Sequence, residues 1–319
     1  MRKFLSNTLI ILLFVVPGLI FWQRQNLYDR WTLHSYTPPT EVVSLADKTT
    51  MTDNARKIFY VAKPQVQAQK DNFRQACQSA EKTIVLGCYK SIGGIYVYDV
   101  DDKRLDGIKE VTAAHEMLHA AYDRLSKKER VRIDDLTAKA FVAVTDERIR
   151  KNIGSYRERD ATVVPNELHS ILGTEAAVLS PELETYYAQY FASRASVVKL
   201  SQQYEAEFSN RESKVEQYDN QIKALKVEIE NLKNTLDSQD AKISAQKATM
   251  DSYLSNKSFA EYNALVPSFN ALVKLFNANV SSLKAKIEQY NSIVQARNAI
   301  VTEEQELLQA IDTRIPNTK

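Results

Sequence analysis

The last third of the chain repeats apolar residues every seven positions, and this is the strongest constraint that the sequence places on the fold. Phe208 is taken as position a of the heptad. Positions a and d of the first run are then filled by Val215, Ile222, Ile229, Leu236, Ile243 and Met250 (a) and by Tyr218, Leu225, Leu232 and Tyr253 (d). Gln239 and Gln246 are polar interruptions. Six heptads of this regularity predict a coiled coil.

A second heptad run follows the first. Its a positions are Val273, Val280, Ile287, Val294, Val301 and Leu308, and its d positions include Phe276, Leu283, Tyr290 and Ile311. Pro267 precedes this run and can open a new helix. The arms 208–254 and 268–314 are equal in length, so we expect an antiparallel hairpin with a tip loop near 255–268. The heptads alone leave pairing between two chains open, and the arm is also a candidate surface for a protein partner.

The middle of the chain contains the motif His115-Glu116-Met117-Leu118-His119 in a stretch without helix breakers. Side chains four residues apart share one face of a helix, so both imidazoles can bind one metal ion. Glu116 then lies beside the metal, where it can hold and deprotonate a water molecule. The alternative is two histidines on a helix surface that flank a glutamate.

A later segment, Asn166-Glu167-Leu168-His169-Ser170, follows Pro165, which can start a helix. It resembles the N-E-x-x-S segment by which thermolysin-like peptidases present a glutamate ligand. With both motifs, residues 84–190 resemble the gluzincin group of zinc metallopeptidases. The resemblance implies a zincin-like domain in which His115, His119 and Glu167 bind Zn²⁺ and Glu116 is the general base.

The main alternative for the third ligand is His169, and Glu175, Glu182 and Glu184 are weaker alternatives. Residues two apart on a helix face different ways, so Glu167 and His169 cannot both bind directly. If Glu167 binds, His169 is a candidate donor to the reaction intermediate, as are Tyr156, Tyr186 and Tyr187. Residues 120–166 separate His119 from Glu167, a longer spacer than in thermolysin. A helix–helix–loop–helix excursion over that spacer could return Glu167 to the metal.

A β-hairpin is predicted just before the metal-binding helix. Residues 83–89 and 95–100 are rich in β-branched and aromatic residues, and 90–94 form a turn with two glycines. Zincins commonly place a sheet edge beside the active helix, where an extended substrate can pair with it. The alternative is a small sheet that merely covers the helix.

The N-terminus and the cysteines indicate the compartment. Met1-Arg2-Lys3 is followed by a hydrophobic stretch, 4–22, that is long enough to cross a bilayer and has a poor cleavage site. We expect an uncleaved anchor with the rest of the chain outside the cytoplasm. There Cys77 and Cys88 can form a disulfide worth about 3 kcal/mol, and the alternative is two reduced buried thiols.

Together these patterns predict a mainly α chain with a small β-hairpin or sheet. We expect an anchor (1–23), a linker (24–50), a zincin-like domain (51–195) and a coiled-coil hairpin (196–319). The predicted function is that of a membrane-anchored, extracytoplasmic zinc metallopeptidase acting on peptides or proteins. The alternative is a cell-envelope scaffold or regulator with a structural or inactive metal site. The net charge of +2 gives no reason to expect a nucleic-acid partner.

Overall fold

The computed structural model describes residues 24–77 and 84–314. Over these ranges the chain is mainly helical, with one small sheet and a long pair of helices, which confirms the coarse prediction of fold class. It divides into two units. The first comprises the described residues up to Glu207 and those from Leu307 onward, and the second is Phe208–Glu306.

The predicted anchor, residues 1–23, lies outside the described residues. None of the helices in the described part of the chain combines the length and the apolar character needed to cross a membrane.

The helices are α1 (24–35), α2 (Thr40–Lys48), α3 (Asp53–Val61), α4 (Lys70–Ala76), α5 (Ile108–Asp123), α6 (Lys127–Val142), α7 (Glu147–Arg159), α8 (Val164–Thr174), α9 (Pro181–Tyr187), α10 (Arg194–Ser255) and α11 (Phe259–Ile311). The strands are β1 (Gln65–Gln67), β2 (Gly87–Lys90) and β3 (Gly94–Tyr98). A short 3₁₀ helix (Lys103–Leu105) precedes α5.

The sheet has the strand order β1-β3-β2. β2 and β3 form the predicted hairpin, with Gly87 opposite Val97 and Lys90 opposite Gly94. β1 adds a parallel strand on the other side of β3, which the sequence pattern did not reveal because only three residues take part. Gly94 must be glycine, since its φ is +106° and a Cβ would lie 2.1 Å from the carbonyl oxygen of Ala62.

A disulfide joins Cys77, at the end of α4, to Cys88 in β2, which confirms the predicted bond. The two Cα atoms are 5.8 Å apart. Phe73, Cys77 and Tyr98 form a small buried cluster around it. The bond therefore ties α4 to the hairpin that lies against α5.

Helix α5 is the centre of the first unit. It packs against the helices α8, α2 and α3 and against the strands β2 and β3. Its apolar residues Val111, Met117 and Leu118 are almost fully buried. At Gly173, α8 approaches so closely that an added Cβ would lie 2.5 Å from Leu118 Cδ1. The close approach of α8 to α5 is what brings the two sequence motifs together.

The spacer between the motifs consists of α6 and α7. Ser126 Oγ accepts a hydrogen bond from the backbone N–H of Glu129 and so caps α6, as its capping-box sequence predicts. Asp146 caps α7 in the same way. Ile149 and Ile153 of α7 are buried against Leu168 and Leu172 of α8. The spacer thus packs onto the helix that carries Glu167.

The segment 24–50 was expected to be a linker, and the structure differs. It forms α1 and α2, and α2 buries Val42, Leu45 and Ala46 in the core. On α1, the buried Asp29 forms ion pairs with Arg124 at 2.9 Å and with Lys57 at 3.3 Å. The sequence between these helices is polar and contains two adjacent prolines, so the pattern predicted a linker rather than two short helices.

The second unit is an antiparallel helix hairpin within one chain. In the contacts between the helices, residue numbers decrease along α10 as they increase along α11. Gln246 contacts Ser268, Gln239 contacts Asn279, Glu228 contacts Lys286 and Asp219 contacts Arg297. The tip is only residues 256–258, shorter than the predicted 255–268. Pro267 lies inside α11 rather than at its start, on the exposed side where water can satisfy the freed carbonyl.

The predicted heptad register is confirmed for α10 and only in part for α11. From Val215 to Tyr253, every predicted a and d residue of α10 is buried or half-buried, and every residue between them is exposed. In α11 the predicted d residues are buried or half-buried, and four of the predicted a residues (273, 280, 294 and 301) are half-buried. The column one residue before them (272, 279, 286, 293 and 300) is also half-buried, and it makes the polar contacts with α10. Ile287 is instead 38% exposed. Polar pairs such as Asn279 with Gln239 select this register, and hydrophobicity alone did not show them.

The outer limits of the predicted domains also differ from the two units. The first unit extends to Glu207 rather than 195, and it includes the end of α11. Leu307 is completely buried there, and the Thr313 hydroxyl donates to the carbonyl oxygen of Val85 at 2.9 Å. The end of the long helix pair is therefore part of the globular unit.

Candidate metal centre

The two histidines of the first motif meet on one face of α5. Their Nε2 atoms are 3.0 Å apart, and the ring planes lie at 81° to each other. This is the arrangement that the four-residue spacing predicts for a helix. Two ring nitrogens so close together can act on one small ligand.

Glu167 reaches the same point from α8. Its carboxylate oxygens lie 3.7 Å from His115 Nε2 and 3.8 Å from His119 Nε2. Donors bound at 2.0–2.2 Å to a tetrahedral Zn²⁺ lie about 3.3–3.5 Å apart, and the three separations here lie within about 0.3 Å of that range. The two histidines face different oxygens of Glu167, Oε2 for His115 and Oε1 for His119. Glu167 Oε2 is buried and has no hydrogen-bond partner. A buried carboxylate oxygen that lacks a partner and lies beside two imidazoles fits a metal ligand.

The charge of Glu167 also fits this role. Burial by itself would raise the pKa of the carboxyl group, but the nearby His115 and His119 outweigh burial and lower the pKa. The group is therefore ionised at neutral pH. Tyr156 also lowers the pKa of Glu167, so its side chain lies close to this carboxylate.

Asn166 and Ser170 hold the second histidine. Asn166 Oδ1 lies 2.9 Å from His119 Nδ1, and Ser170 Oγ lies 3.1 Å from the same atom. An amide oxygen can only accept, so this contact suits a neutral His119 ring with its proton on Nδ1, which leaves the Nε2 lone pair available to a metal ion. Metal-bound histidines are commonly oriented by such a contact. The sequence contained both residues within the second motif, but it did not show what they contact.

Glu116 occupies the remaining side of the centre. It is buried, and donor atoms of His115, Glu116 and His119 all lie within 4.8 Å of one another. Gly87 of β2 lies directly against it, since a Cβ at Gly87 would be 2.7 Å from Glu116 Oε1. The strand thus confines the carboxylate beside the imidazoles. Both carboxylates are near the histidines, and the partnerless oxygen of Glu167 makes it the better ligand of the two.

His169, the alternative ligand, points into a cluster of tyrosines. It is fully buried, and its Nε2 lies 2.9 Å from the hydroxyl of Tyr186. The rings of Tyr122, Tyr187 and Tyr190 surround it. Burial, reinforced by His119 and His115, lowers the pKa of His169 to about 3, so the ring is neutral. This placement favours Glu167 as the third ligand.

The tyrosines that the sequence left undistinguished have different surroundings. Tyr186 contacts His169, and the Tyr187 hydroxyl donates to the backbone carbonyl of His169 at 2.7 Å. Both are engaged in the buried cluster. Tyr156 is half-buried and close enough to Glu167 to affect its pKa. Tyr156 is therefore the best placed of the three to act at the centre.

Comparison with known proteins adds no family to this description. No protein-family model, curated protein or solved structure matches the chain. The resemblance to gluzincins thus rests on the two sequence motifs.

Proposed function

We propose that this chain is a gluzincin-type zinc metallopeptidase that cleaves peptide bonds. The observation that carries the proposal is the convergence of His115, His119 and the partnerless Glu167 oxygen, with Glu116 beside them. Two neutral imidazoles and one carboxylate are a donor set of catalytic zinc sites, which keep a position open for water or substrate. A structural zinc site usually has four protein ligands.

Each residue of the site has a separate proposed role. A bound Zn²⁺ would polarise the scissile carbonyl and lower the pKa of a water molecule to about 7. His115 and His119 offer their Nε2 lone pairs, and Asn166 keeps His119 in the required tautomer. Glu167 supplies the negative charge.

Glu116 is the proposed general base. Its carboxylate accepts the proton of the attacking water and passes it to the departing amine. Gly87 leaves room for this side chain, because the Cβ of any larger residue would collide with it. Tyr156 is the proposed hydrogen-bond donor to the developing oxyanion.

The substrate is proposed to be an extended peptide or protein segment. β2 forms an edge of the described sheet, and its first residue touches Glu116. An extended chain can add to such an edge through backbone hydrogen bonds. Its scissile bond would then run past the histidines.

The proposed location is the outer face of a membrane. The hydrophobic stretch 4–22 would anchor the chain, and it lies just before the described residues. The disulfide between Cys77 and Cys88 supports an oxidising compartment.

Metal content and activity test the proposal together. The purified chain is expected to contain one Zn²⁺ and to cleave a mixture of unstructured peptides, and to lose and regain cleavage when zinc is removed with a chelator and restored. Glu167→Ala is expected to lose zinc, whereas His169→Ala retains it. Zinc lost from the His169 variant but kept by the Glu167 variant would move the third ligand to His169. A zinc-loaded chain that cleaves no peptide would favour the scaffold alternative.

A further inference from the structure

The strongest aliphatic repeat of α11 lies beside the hairpin seam rather than in it. We call Val273, Val280, Ile287, Val294 and Val301 the aliphatic column. All five occupy one heptad position, next to the seam that faces α10. None is buried: Ile287 is 38% exposed, and the other four are half-buried. The hairpin covers this column only in part, so an apolar stripe stays partly exposed along one flank.

The stripe is bordered by uncharged amides. Four residues after each of the first four column members come Asn277, Lys284, Asn291 and Asn298, all exposed. Residues four apart are neighbours on a helix surface, so three of these four positions place an asparagine against the column. Helix surfaces that face only water in a coiled coil usually carry charges instead.

Charge is also distributed unequally between the two helices. Residues 208–255 contain fifteen charged side chains, and the equally long stretch 259–306 contains nine. Only five of those nine lie between 262 and 302, and two of the five, Lys286 and Arg297, pair with α10. Depletion of charge together with aliphatic residues is typical of a protein interface. α10 is thus the more highly charged helix of the hairpin, and α11 carries the apolar flank that α10 covers only in part.

We infer that α11 is an interface between two copies of this chain, which pair their hairpins into a four-helix bundle through the aliphatic column. The surface is self-complementary, because aliphatic residues pack against aliphatic residues and amides can hydrogen-bond to amides. Such a patch suits a two-fold symmetric dimer, the commonest oligomer. The aliphatic column spans 273–301, which is about 42 Å of helix, so a strip about 10 Å wide offers about 420 Å² per copy. Stable interfaces bury about 800 Å² per partner, so the amides and other exposed residues that flank the column along α11 must supply the rest.

Ile287 is the critical residue of this interface. It is the third of the five column members, so it lies at the midpoint of the column. In a two-fold pairing centred there it would face the same residue of the second copy, whether the helices run parallel or antiparallel. A charge at this position would be buried without a partner in the dimer and solvated in the monomer.

The chain provides a matched control in Val227. It is aliphatic, 58% exposed and on the outer face of α10, away from the seam. We would compare the full chain, Ile287→Lys and Val227→Lys by sedimentation velocity in a mild non-ionic detergent, with circular dichroism to verify equal helicity. The parent and Val227→Lys are expected to be dimers, and Ile287→Lys to dissociate at least tenfold more readily. A monomeric parent at tens of micromolar, or equal association of the two variants, would overturn the inference.

A covalent trap gives a second, independent readout. On mild oxidation, Ile287→Cys is expected to form a disulfide-linked dimer within minutes, and Val227→Cys to remain mostly monomeric. If the two variants cross-link at the same rate, the contact is random collision and the interface is not at the aliphatic column.

Discussion

The two motifs of the site contact each other at the Nδ1 atom of His119. Asn166 and Ser170, both on α8, contact this atom of a histidine on α5. The same short helix therefore supplies a proposed ligand, Glu167, and the groups that orient another ligand. Loss of the α8 contact should weaken the site without removing any ligand.

Asn166→Ala tests this dependence at the scale of one residue. Without Asn166 Oδ1, only Ser170 Oγ of these two contacts remains at His119 Nδ1, so the ring is held less firmly and zinc affinity should fall by about 10–100-fold. Competition with a coloured zinc chelator would measure the change. Asn166→Asp, which retains an acceptor, should keep most of the affinity. Equal affinity of the parent and the alanine variant would show that Asn166 does not orient His119.

The residues of the site were predicted from sequence to different extents. The spacing of His115 and His119 determines their shared face on any helix, so their convergence followed from local geometry. The position of Glu167 depended on how residues 120–166 fold back, which no local rule gives. The contact between Gly87 and Glu116 joins a strand to a helix, so only the three-dimensional structure reveals it.

At the scale of elements, the packing of α8 on α5 determines the geometry of the site. Gly173→Ala would place a Cβ 2.5 Å from Leu118 Cδ1 and 2.7 Å from Tyr187 Cε1. We expect a destabilisation of about 1–3 kcal/mol from this overpacking, together with weaker zinc binding because α8 carries Glu167. Chemical denaturation and metal titration would measure the two effects.

Gly154→Ala is the matched control for that substitution. It also lies inside a helix, but a Cβ there meets nothing within 4 Å. Alanine should therefore stabilise the protein by about 0.4–1 kcal/mol. Equal effects of the two substitutions would mean that α8 and α5 are not closely packed at Gly173.

A second element contact, between α7 and α10, predicts a dependence on pH. Arg148 forms ion pairs with Glu175 at 2.5 Å and with Glu205 at 3.1 Å. Burial, together with Glu175 and against the effect of Arg148, raises the pKa of Glu205 to about 7. The folded chain then holds a proton that the unfolded chain releases above about pH 4.5, so this group's contribution to stability falls as pH rises from about 4.5 to 7.

Glu205→Gln removes this titration while retaining a hydrogen-bond acceptor. The variant should therefore be more stable than the parent at pH 8, and the difference should shrink toward pH 5. Thermal unfolding at both pH values would measure it. A variant that is equally or less stable at pH 8 would show that the ionised Glu205 pairs favourably with Arg148.

The hairpin illustrates how far a repeat predicts an element. In α10 the heptad residues and the buried face coincide from Val215 to Tyr253. In α11 the most regular aliphatic column is not the seam, because the polar pairs with α10 select the neighbouring column. The heptad pattern of α11 shows which of its faces are apolar. Which of two neighbouring apolar columns contacts α10 depends on the residues that α10 presents to it.

For the molecule as a whole, the predicted order of a globular unit followed by a long helix pair is what the described chain shows. The unit is larger than expected at both ends. Residues 24–50 join the core through two short helices, and the last residues of α11 return to it. Both additions depend on contacts between distant parts of the chain, which composition and periodicity do not encode.

The central claim is that Glu116 acts as a base at a zinc held by its neighbours, and the most direct test compares two substitutions on α5. Glu116→Gln should retain one Zn²⁺ and the parent's fold but lose peptide cleavage by at least 100-fold, because the amide cannot accept a proton. Glu110→Gln is the control, since Glu110 is equally buried on the same helix but pairs with Lys48. Its cleavage rate per bound zinc should be close to that of the parent. Cleavage by the zinc-loaded Glu116→Gln chain at the parent's rate would contradict the claim.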